Sequence, residues 1–263
     1  MTSATAFGAG SGTESLSAVW KHEGESKALK SWSFQEAMSG TQQLTSQEKD
    51  PLTGKVSQFK GPSLSALVDA ALKSLTPGEK AQIDLVILKS STGAQALIPR
   101  AFVVKYPLYL ATSRDLKSLG SHGPFYSVAP WTSNSAIKKE GMSLESLFVP
   151  QISQIEFANY RERYSSLYLK RRADPAAMRG EKLFVQNCLS CHTSGPGASV
   201  ADLSEVQKTR ALATSGHPRI KGAPQLGEKD VRSLTSYLEA YHTENVASQT
   251  GGAHVQAVSQ NSR

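Results

Sequence analysis

The segment Cys188-Leu189-Ser190-Cys191-His192 constrains this chain more than any other part of its sequence. Two cysteines separated by two residues and followed directly by histidine form the attachment motif of a c-type haem. We expect the thiols of Cys188 and Cys191 to bind the haem as thioethers, and the imidazole of His192 to be the proximal iron ligand. A redox-active cysteine pair and half of a zinc site are the alternatives. A zinc site needs further soft ligands, and the chain has only 2 cysteines.

The motif also predicts where the protein resides. Thioether attachment of haem takes place outside the cytoplasm, so we expect a periplasmic or otherwise exported protein. The chain begins with MTSATAFGAGSG, which lacks the basic and apolar regions of a secretory signal. We therefore interpret the sequence as a mature form whose signal was removed, and a removed membrane anchor stays open. No apolar run of about 18 residues occurs, so we predict no membrane span in this chain.

The net charge of +7 indicates which partners to expect. Part of the excess lies in the segments 160–163 (YRER) and 170–172 (KRR), directly before the haem motif. A solvated linker surface and a docking patch for an acidic redox partner both fit this pattern. Nucleic-acid binding requires a basic face with recognition elements, and an exported cytochrome rarely meets nucleic acid. We therefore expect a protein redox partner and no nucleic acid.

Short strands and short helices alternate in the first part of the chain. Ser33 is expected to cap a helix over 34–38 that ends at Gly40, and Ser63 to cap a second helix that ends at Leu72. Apolar patterning predicts strands at 56–61, 83–88, 94–98, 152–157 and up to Val128.

This succession resembles the sulfite-oxidase-like molybdopterin-binding fold over residues 16–160. The resemblance rests on FKG and a Leu-x-x-Leu-Val helix (59–68), IPR (98–100), YPLYLA (106–111), GPFYSVAPW (123–131) and ISQIEF (152–157). Catalytic members of that family hold molybdenum through a cysteine thiolate, and no cysteine precedes Cys188. The resemblance therefore implies an α+β domain without a molybdenum ligand, used for docking or for binding something else, and molybdopterin is not expected.

Three other residues in the first part could be mistaken for ligands. His22 and His122 are the only histidines before the haem motif, and we interpret both as surface or hydrogen-bonded structural residues. Trp131 follows Pro130 and is interpreted as core packing rather than as a platform for a cofactor.

The segment around the haem motif resembles small class I cytochromes c over residues 175–245. Gly180 and Phe184 lie on the predicted helix before the motif and match the first-helix pair of that family. There the glycine permits a close crossing with the C-terminal helix, and the aromatic ring packs in the contact. The matching last helix is predicted over 228–238, with Val231, Leu234 and Leu238 on one stripe and Tyr237 beside it.

The distal iron ligand departs from that family, which usually uses a methionine shortly before the last helix. All 4 methionines precede the haem motif. His217, in Gly216-His217-Pro218, occupies the expected position, so we predict His217 as the distal iron ligand. An open iron with an ordinary loop histidine and ligation by Lys221 are the alternatives. His242 and His254 are expected not to bind iron.

These interpretations predict a two-domain fold class, an α+β domain followed by an all-α domain. The expected layout is a disordered N-terminus (1–15), the sulfite-oxidase-like domain (16–160), a basic linker helix (161–174), the cytochrome c domain (175–245) and a disordered tail (246–263). The predicted function is single-electron transfer through one covalent haem c, with the first domain docking a redox partner and without catalysis. The alternatives are a haem-based sensor of a small gas and a subunit of a molybdopterin-type oxidoreductase.

Overall fold

The computed structural model describes residues 15–140, 142, 144–170, 173–189 and 226–257 of the 263-residue chain. The strands are β1 (Ser15–His22), β2 (Glu25–Ser33), β3 (Gln43–Lys49), β4 (Val56–Pro62), β5 (Leu85–Ser90), β6 (Gln95–Pro99), β7 (Tyr109–Ala111), β8 (Ser113–Arg114), β9 (Lys117–Ser118), β10 (Tyr126–Val128) and β11 (Ile152–Ala158). The helices are α1 (Phe34–Ser39), α2 (Leu64–Leu72), α3 (Pro77–Ala81), α4 (Arg100–Lys105), α5 (Tyr160–Arg163), α6 (Pro175–Asn187) and α7 (Glu228–Ala257).

A five-stranded sheet in the order β2-β1-β11-β5-β6 organises the fold. β1 and β11 pair in parallel, with Trp20 opposite Phe157, while the other neighbours are antiparallel. The first and last strands of the region 15–158 therefore lie side by side in the middle of the sheet. Because these two strands run parallel, the chain leaves this region at Ala158, at the opposite end of the strands from Ser15, where it entered.

Two smaller sheets cover one side of that sheet. The strands β3-β4-β8-β9 form an antiparallel sheet, and β7 pairs with β10. β4 and β7 approach closely at Gly61, where an added Cβ would lie 1.9 Å from the carbonyl oxygen of Leu110. Only glycine fits there, because any side chain would push the two backbones apart.

Local sequence signals place the short helices correctly. The side chain of Ser33 accepts a hydrogen bond from the Glu36 N–H at 3.2 Å, and the Glu36 carboxylate accepts one from the Ser33 N–H at 2.7 Å. This reciprocal capping starts α1, and the Gly40 N–H closes it by donating to the Glu36 carbonyl at 2.9 Å. At α2 the Ser63 side chain caps the helix by accepting the Ala66 N–H at 3.4 Å. Both predicted helices are confirmed.

Both faces of the five-stranded sheet are buried. One face packs against α2, α4 and the smaller sheets; its side chains include those of Leu16, Ala18, Trp20, Val86, Leu88, Ile98, Ile155 and Phe157. The opposite face carries Leu85, Ile87, Leu97 and Ala158, which pack with side chains of α6 and α7 in a second core. As a result Leu85 through Leu88 are all 0% exposed, the pattern of a strand that is covered on both sides.

The predicted fold class, an α+β domain followed by an all-α cytochrome domain, is wrong. In the described residues the C-terminal helices α6 and α7 do not enclose a core of their own. They bury their apolar sides together with Leu85, Ile87 and Leu97 of the sheet. The described chain is a mixed α/β structure in which the two faces of one sheet belong to two different cores. The second face is buried because it is apolar, and removing apolar surface from water is favourable.

The segment between β11 and α6 differs from the expected linker helix. It is helical in α5 and in one 3₁₀ turn, Ser165–Leu167. Leu167 and Leu169 are buried in the second core. The Tyr237 hydroxyl of α7 donates to the Leu167 carbonyl at 2.6 Å, and the Leu169 N–H donates to the buried Glu181 carboxylate of α6 at 2.8 Å. The segment is therefore bound to both C-terminal helices.

The end of α7 also differs from the expected layout. Its backbone is helical as far as Ala257, which includes part of the tail that we predicted to be disordered. The N-terminal residues 1–14 lie outside the described residues.

A buried ion pair fixes the turn between β3 and β4. Asp50, 1% exposed, accepts a hydrogen bond from Arg114 Nη2 at 2.7 Å and from the Tyr126 hydroxyl at 3.1 Å. Its other carboxylate oxygen accepts the backbone N–H groups of Leu52 and Thr53. One carboxylate therefore joins β8, β10 and the β3–β4 turn.

Replacing Asp50 by alanine should destabilise the protein by about 3 kcal/mol, because it leaves the Arg114 guanidinium and two turn N–H groups without their acceptor. Urea denaturation followed by circular dichroism measures the change. Asp69→Ala is the matched control, since Asp69 is exposed on α2 and should change the free energy of unfolding by no more than about 0.5 kcal/mol. Equal effects of the two substitutions would contradict this role of Asp50.

Candidate haem-attachment site

Helix α6 carries the chain directly to the first cysteine of the haem motif. It begins at Asp174, whose carboxylate accepts the Ala176 N–H at 2.8 Å, and Pro175 takes the first helical position, where no N–H is needed. The helix ends at Cys188, whose N–H donates to the Phe184 carbonyl at 2.8 Å. Cys188 therefore has a position fixed by the last turn of α6.

α6 and α7 cross in close contact at Gly180. A Cβ at Gly180 would lie 1.9 Å from the Ser233 carbonyl oxygen and 2.7 Å from the Tyr237 Cβ. One turn further on, the rings of Phe184 and Tyr237 lie 5.4 Å apart at an angle of 39°. The predicted crossing of the two helices at Gly180, with an aromatic ring in the contact, is confirmed. The predicted stripe of Val231, Leu234 and Leu238 is buried as well.

Cys188 packs against an apolar and aromatic cluster. The half-buried cysteine contacts the second core, in which Phe184, Leu189 and Tyr237 are 0% exposed. Burial raises the pKa of Tyr237 far above its usual value, with smaller contributions from Tyr241, Glu181 and Cys188. The Tyr237 hydroxyl therefore stays protonated as a hydrogen-bond donor. Cys188 is therefore held against a packed apolar core at the end of α6, with part of the residue exposed.

A group of tyrosines surrounds this cluster. Tyr160, Tyr164, Tyr168 and Tyr241 all pack against the second core. Burial raises the pKa of Tyr164 to about 12. The guanidinium of Arg161 lies 5.2 Å from the Tyr168 ring centre, and that of Arg163 lies 6.0 Å from the Tyr164 ring centre. The cations of α5 are thus placed on the same side of the sheet as Cys188.

Of the predicted haem-binding residues, the structure describes Cys188 alone. Cys191, His192 and the proposed distal ligand His217 lie outside the described residues, as does the alternative Lys221. Within the described ranges no group of three or more His, Cys, Asp or Glu side chains is arranged to hold a metal ion. The donor set of the motif, two thiols and one imidazole, is the set that haem c requires.

The other candidate residues occupy structural positions. His22 Nδ1 lies 2.9 Å from Glu162 Oε2, and its ring stacks on Trp20 with 5.1 Å between ring centres. His122 lies edge-on to Tyr126 at 5.7 Å. The Trp131 indole N–H donates to the Lys49 carbonyl at 2.9 Å, so this half-buried ring anchors a loop as well as packing against the core.

Sequence reasoning missed the buried carboxylates. Glu48 is 0% exposed and accepts from the Thr132 N–H and the Ser133 hydroxyl, both at 2.6 Å. Glu156 is also 0% exposed and accepts from Lys89 Nζ at 2.5 Å. The alternation of β3 and β11 could have shown that these positions face inward, but their partners lie far away in sequence.

Two comparisons with known proteins were negative. No family of known proteins matches the chain, and a search of curated proteins finds no similar sequence. In the part of the chain that the structure describes, no helix is both long and apolar enough to cross a membrane.

Gly180→Ala should lower the free energy of unfolding by about 1–3 kcal/mol, because the added methyl group overlaps the Ser233 carbonyl and forces α6 away from α7. Chemical denaturation measures this loss. Gly78→Ala is the matched control, since a Cβ at Gly78 of α3 meets no atom within 4 Å. If both variants unfold like the wild type, the close crossing of the helices is wrong.

The pair formed by His22 and Glu162 should make stability depend on pH. The hydrogen bond to Glu162 raises the pKa of His22 above 6.5, so its stabilisation is full below the unfolded pKa and is lost as pH rises through the folded one. The melting temperature of the wild type should therefore exceed that of Glu162→Gln by more at about pH 6 than at about pH 9. Glu25→Gln, which removes a carboxylate without a hydrogen bond to His22, should show a smaller dependence; a gap that widens at high pH would refute this assignment.

Proposed function

We propose that this protein carries one haem c, bound through thioethers at Cys188 and Cys191, and transfers single electrons. The observation that carries this proposal is the sequence Cys-x-x-Cys-His directly after a helix that ends at Cys188. The close crossing of α6 and α7 at Gly180 supports it, because this crossing is a feature of the small cytochromes c that the segment resembles. Under this proposal the protein is an exported electron carrier and not an enzyme.

The residues of the chain have distinct roles in this proposal. The thiols of Cys188 and Cys191 would hold the group, and His192 and His217 would supply imidazole ligands to the iron. When bound, the haem would supply a one-electron iron couple whose potential depends on the ligands of the iron. With two imidazoles of the chain as its ligands, the iron would not bind a substrate, and the other side chains would serve to hold the group. Phe184, Leu189 and Tyr237 are fully buried in the core against which Cys188 packs, and this core would hold the attachment point in place.

The cations of α5 are the proposed contact for an acidic redox partner. Arg161 and Arg163 are exposed and lie over Tyr168 and Tyr164, which pack against the same core as Cys188. A partner with an acidic surface would be attracted to this side of the molecule by long-range electrostatics. Its approach here would bring it near the end of α6, where the proposed haem is attached.

The test is spectroscopy of the ferric protein in the visible range and by electron paramagnetic resonance, with His217→Ala beside the wild type. We expect low-spin signals of two axial imidazoles in the wild type and a high-spin signal in the variant. His242→Ala is the matched control, since His242 is exposed on α7 and its loss should leave the spectrum unchanged. A high-spin wild type would contradict the two-histidine assignment and indicate an open iron position, as in a gas sensor.

A further inference from the structure

Three exposed apolar residues lie together at one end of the four-stranded sheet. Leu52 and Val56 belong to the β3–β4 hairpin and are 53% and 56% exposed, while Leu116 forms the tip of the β8–β9 hairpin and is 86% exposed. β4 and β8 pair with Phe59 opposite Arg114, so the register continues to place Leu116 beside the start of β4. We call Leu52, Val56 and Leu116 the hairpin-tip patch.

Leucine is unfavourable at position 116 for two reasons, the backbone conformation there and the exposure of its side chain. The β8–β9 connection has two residues, Asp115 and Leu116, with φ of 51° and 62°. Such turns favour glycine at the second position, since the left-handed conformation costs a residue with a side chain about 1–2 kcal/mol. Leucine at this position is therefore strained, and its side chain is held away from the protein. Costs of this kind are most often retained where the side chain has a role in binding.

Lysines surround the hairpin-tip patch. Lys49, Lys55 and Lys117 are exposed, and in the described ranges none of their ammonium groups forms an ion pair within 4.0 Å. Of the nearby acids, Asp50 is paired with Arg114, whereas the exposed Asp115 carboxylate accepts the Gln58 N–H at 2.8 Å and keeps its charge. The three lysines therefore outnumber the one unpaired carboxylate around the apolar side chains, and the patch carries a net positive charge.

We propose that the hairpin-tip patch binds an anionic lipid surface, with the three apolar side chains inserted at the level of the headgroups. Apolar insertion combined with basic residues that attract anionic lipids is the usual composition of a peripheral membrane contact. A stable protein interface buries about 800 Å² on each partner, which is more than two convex hairpin tips with a polar sheet face behind them offer. Binding to a lipid surface does not require a contact area of this size.

The location of the patch also fits a membrane contact. The four-stranded sheet packs on one face of the five-stranded sheet, while α6, α7 and Cys188 pack on the opposite face. The patch therefore uses no residue of the second core, against which Cys188 packs. This inference does not depend on the bound haem and can be tested with the full chain in either state.

The first test is flotation of the full chain with vesicles of phosphatidylcholine containing phosphatidylglycerol, beside vesicles of phosphatidylcholine alone. We expect binding to the anionic vesicles only. Leu116→Gly should weaken that binding about tenfold, and it also relieves the strained turn, so the variant should fold at least as well as the wild type. Val104→Ser is the matched control, because Val104 is 72% exposed and belongs to α4 and to neither hairpin.

The lysines are tested separately. The triple change K49Q/K55Q/K117Q should weaken binding by more than about tenfold, whereas K73Q/K182Q/K229Q, which removes the same charge elsewhere, should change it much less. Wild-type protein that stays unbound, or Leu116→Gly that binds like the wild type, overturns the proposal. A dimer in sedimentation velocity that is lost in Leu116→Gly would likewise overturn it and identify a second copy of the chain as the occupant.

Discussion

The structure depends on the burial of both faces of its five-stranded sheet. Leu85, Ile87 and Leu97 point away from the first core and are covered by the C-terminal helices. Full burial of an aliphatic side chain of this size contributes about 1.5–3 kcal/mol. These three residues share their core with Leu167 and Leu169 of the segment after β11 as well as with α6 and α7, and the helices would expose apolar side chains without the sheet. The sheet and the C-terminal segments therefore bury each other's apolar side chains.

This shared core explains how the end of α6 is positioned. The segment after β11 inserts Leu167 and Leu169 between the sheet and the helices, and hydrogen bonds from Tyr237 and to Glu181 hold it there. α6 then crosses α7 at Gly180, with no space for a side chain. Cys188 follows on the last turn. A group attached at Cys188 would be held by the whole fold and not by a flexible appendage, which suits a carrier that has to change little between oxidation states.

Local signals in the sequence predicted much of this arrangement. The capping residues Ser33 and Glu36 identified α1, and the resemblance of Gly180 and Phe184 to the first-helix pair of small cytochromes c implied the crossing of two helices that lie far apart in sequence. Those residues interact through backbone geometry or close packing that leaves a distinctive residue type at each position. Prediction succeeded where one residue type is physically required.

The packing of the C-terminal helices against the five-stranded sheet could not be predicted in this way. The apolar run Leu85 to Leu88 indicated a buried strand, but such a run does not show what covers its second face, and we assigned the helices to a separate domain. The pair of Asp50 and Arg114, 64 residues apart, leaves no local pattern either. The remaining haem-motif residues lie outside the described residues, so their roles rest on the motif alone.

The most direct test of the account is the intact mass of the chain after production with the apparatus for c-type haem attachment, measured under denaturing conditions. Noncovalent groups are lost in denaturant, whereas thioethers to Cys188 and Cys191 survive. The account predicts a single species with the mass of the polypeptide plus one haem. A species with the mass of the bare polypeptide, with haem absent or recovered separately, would contradict it.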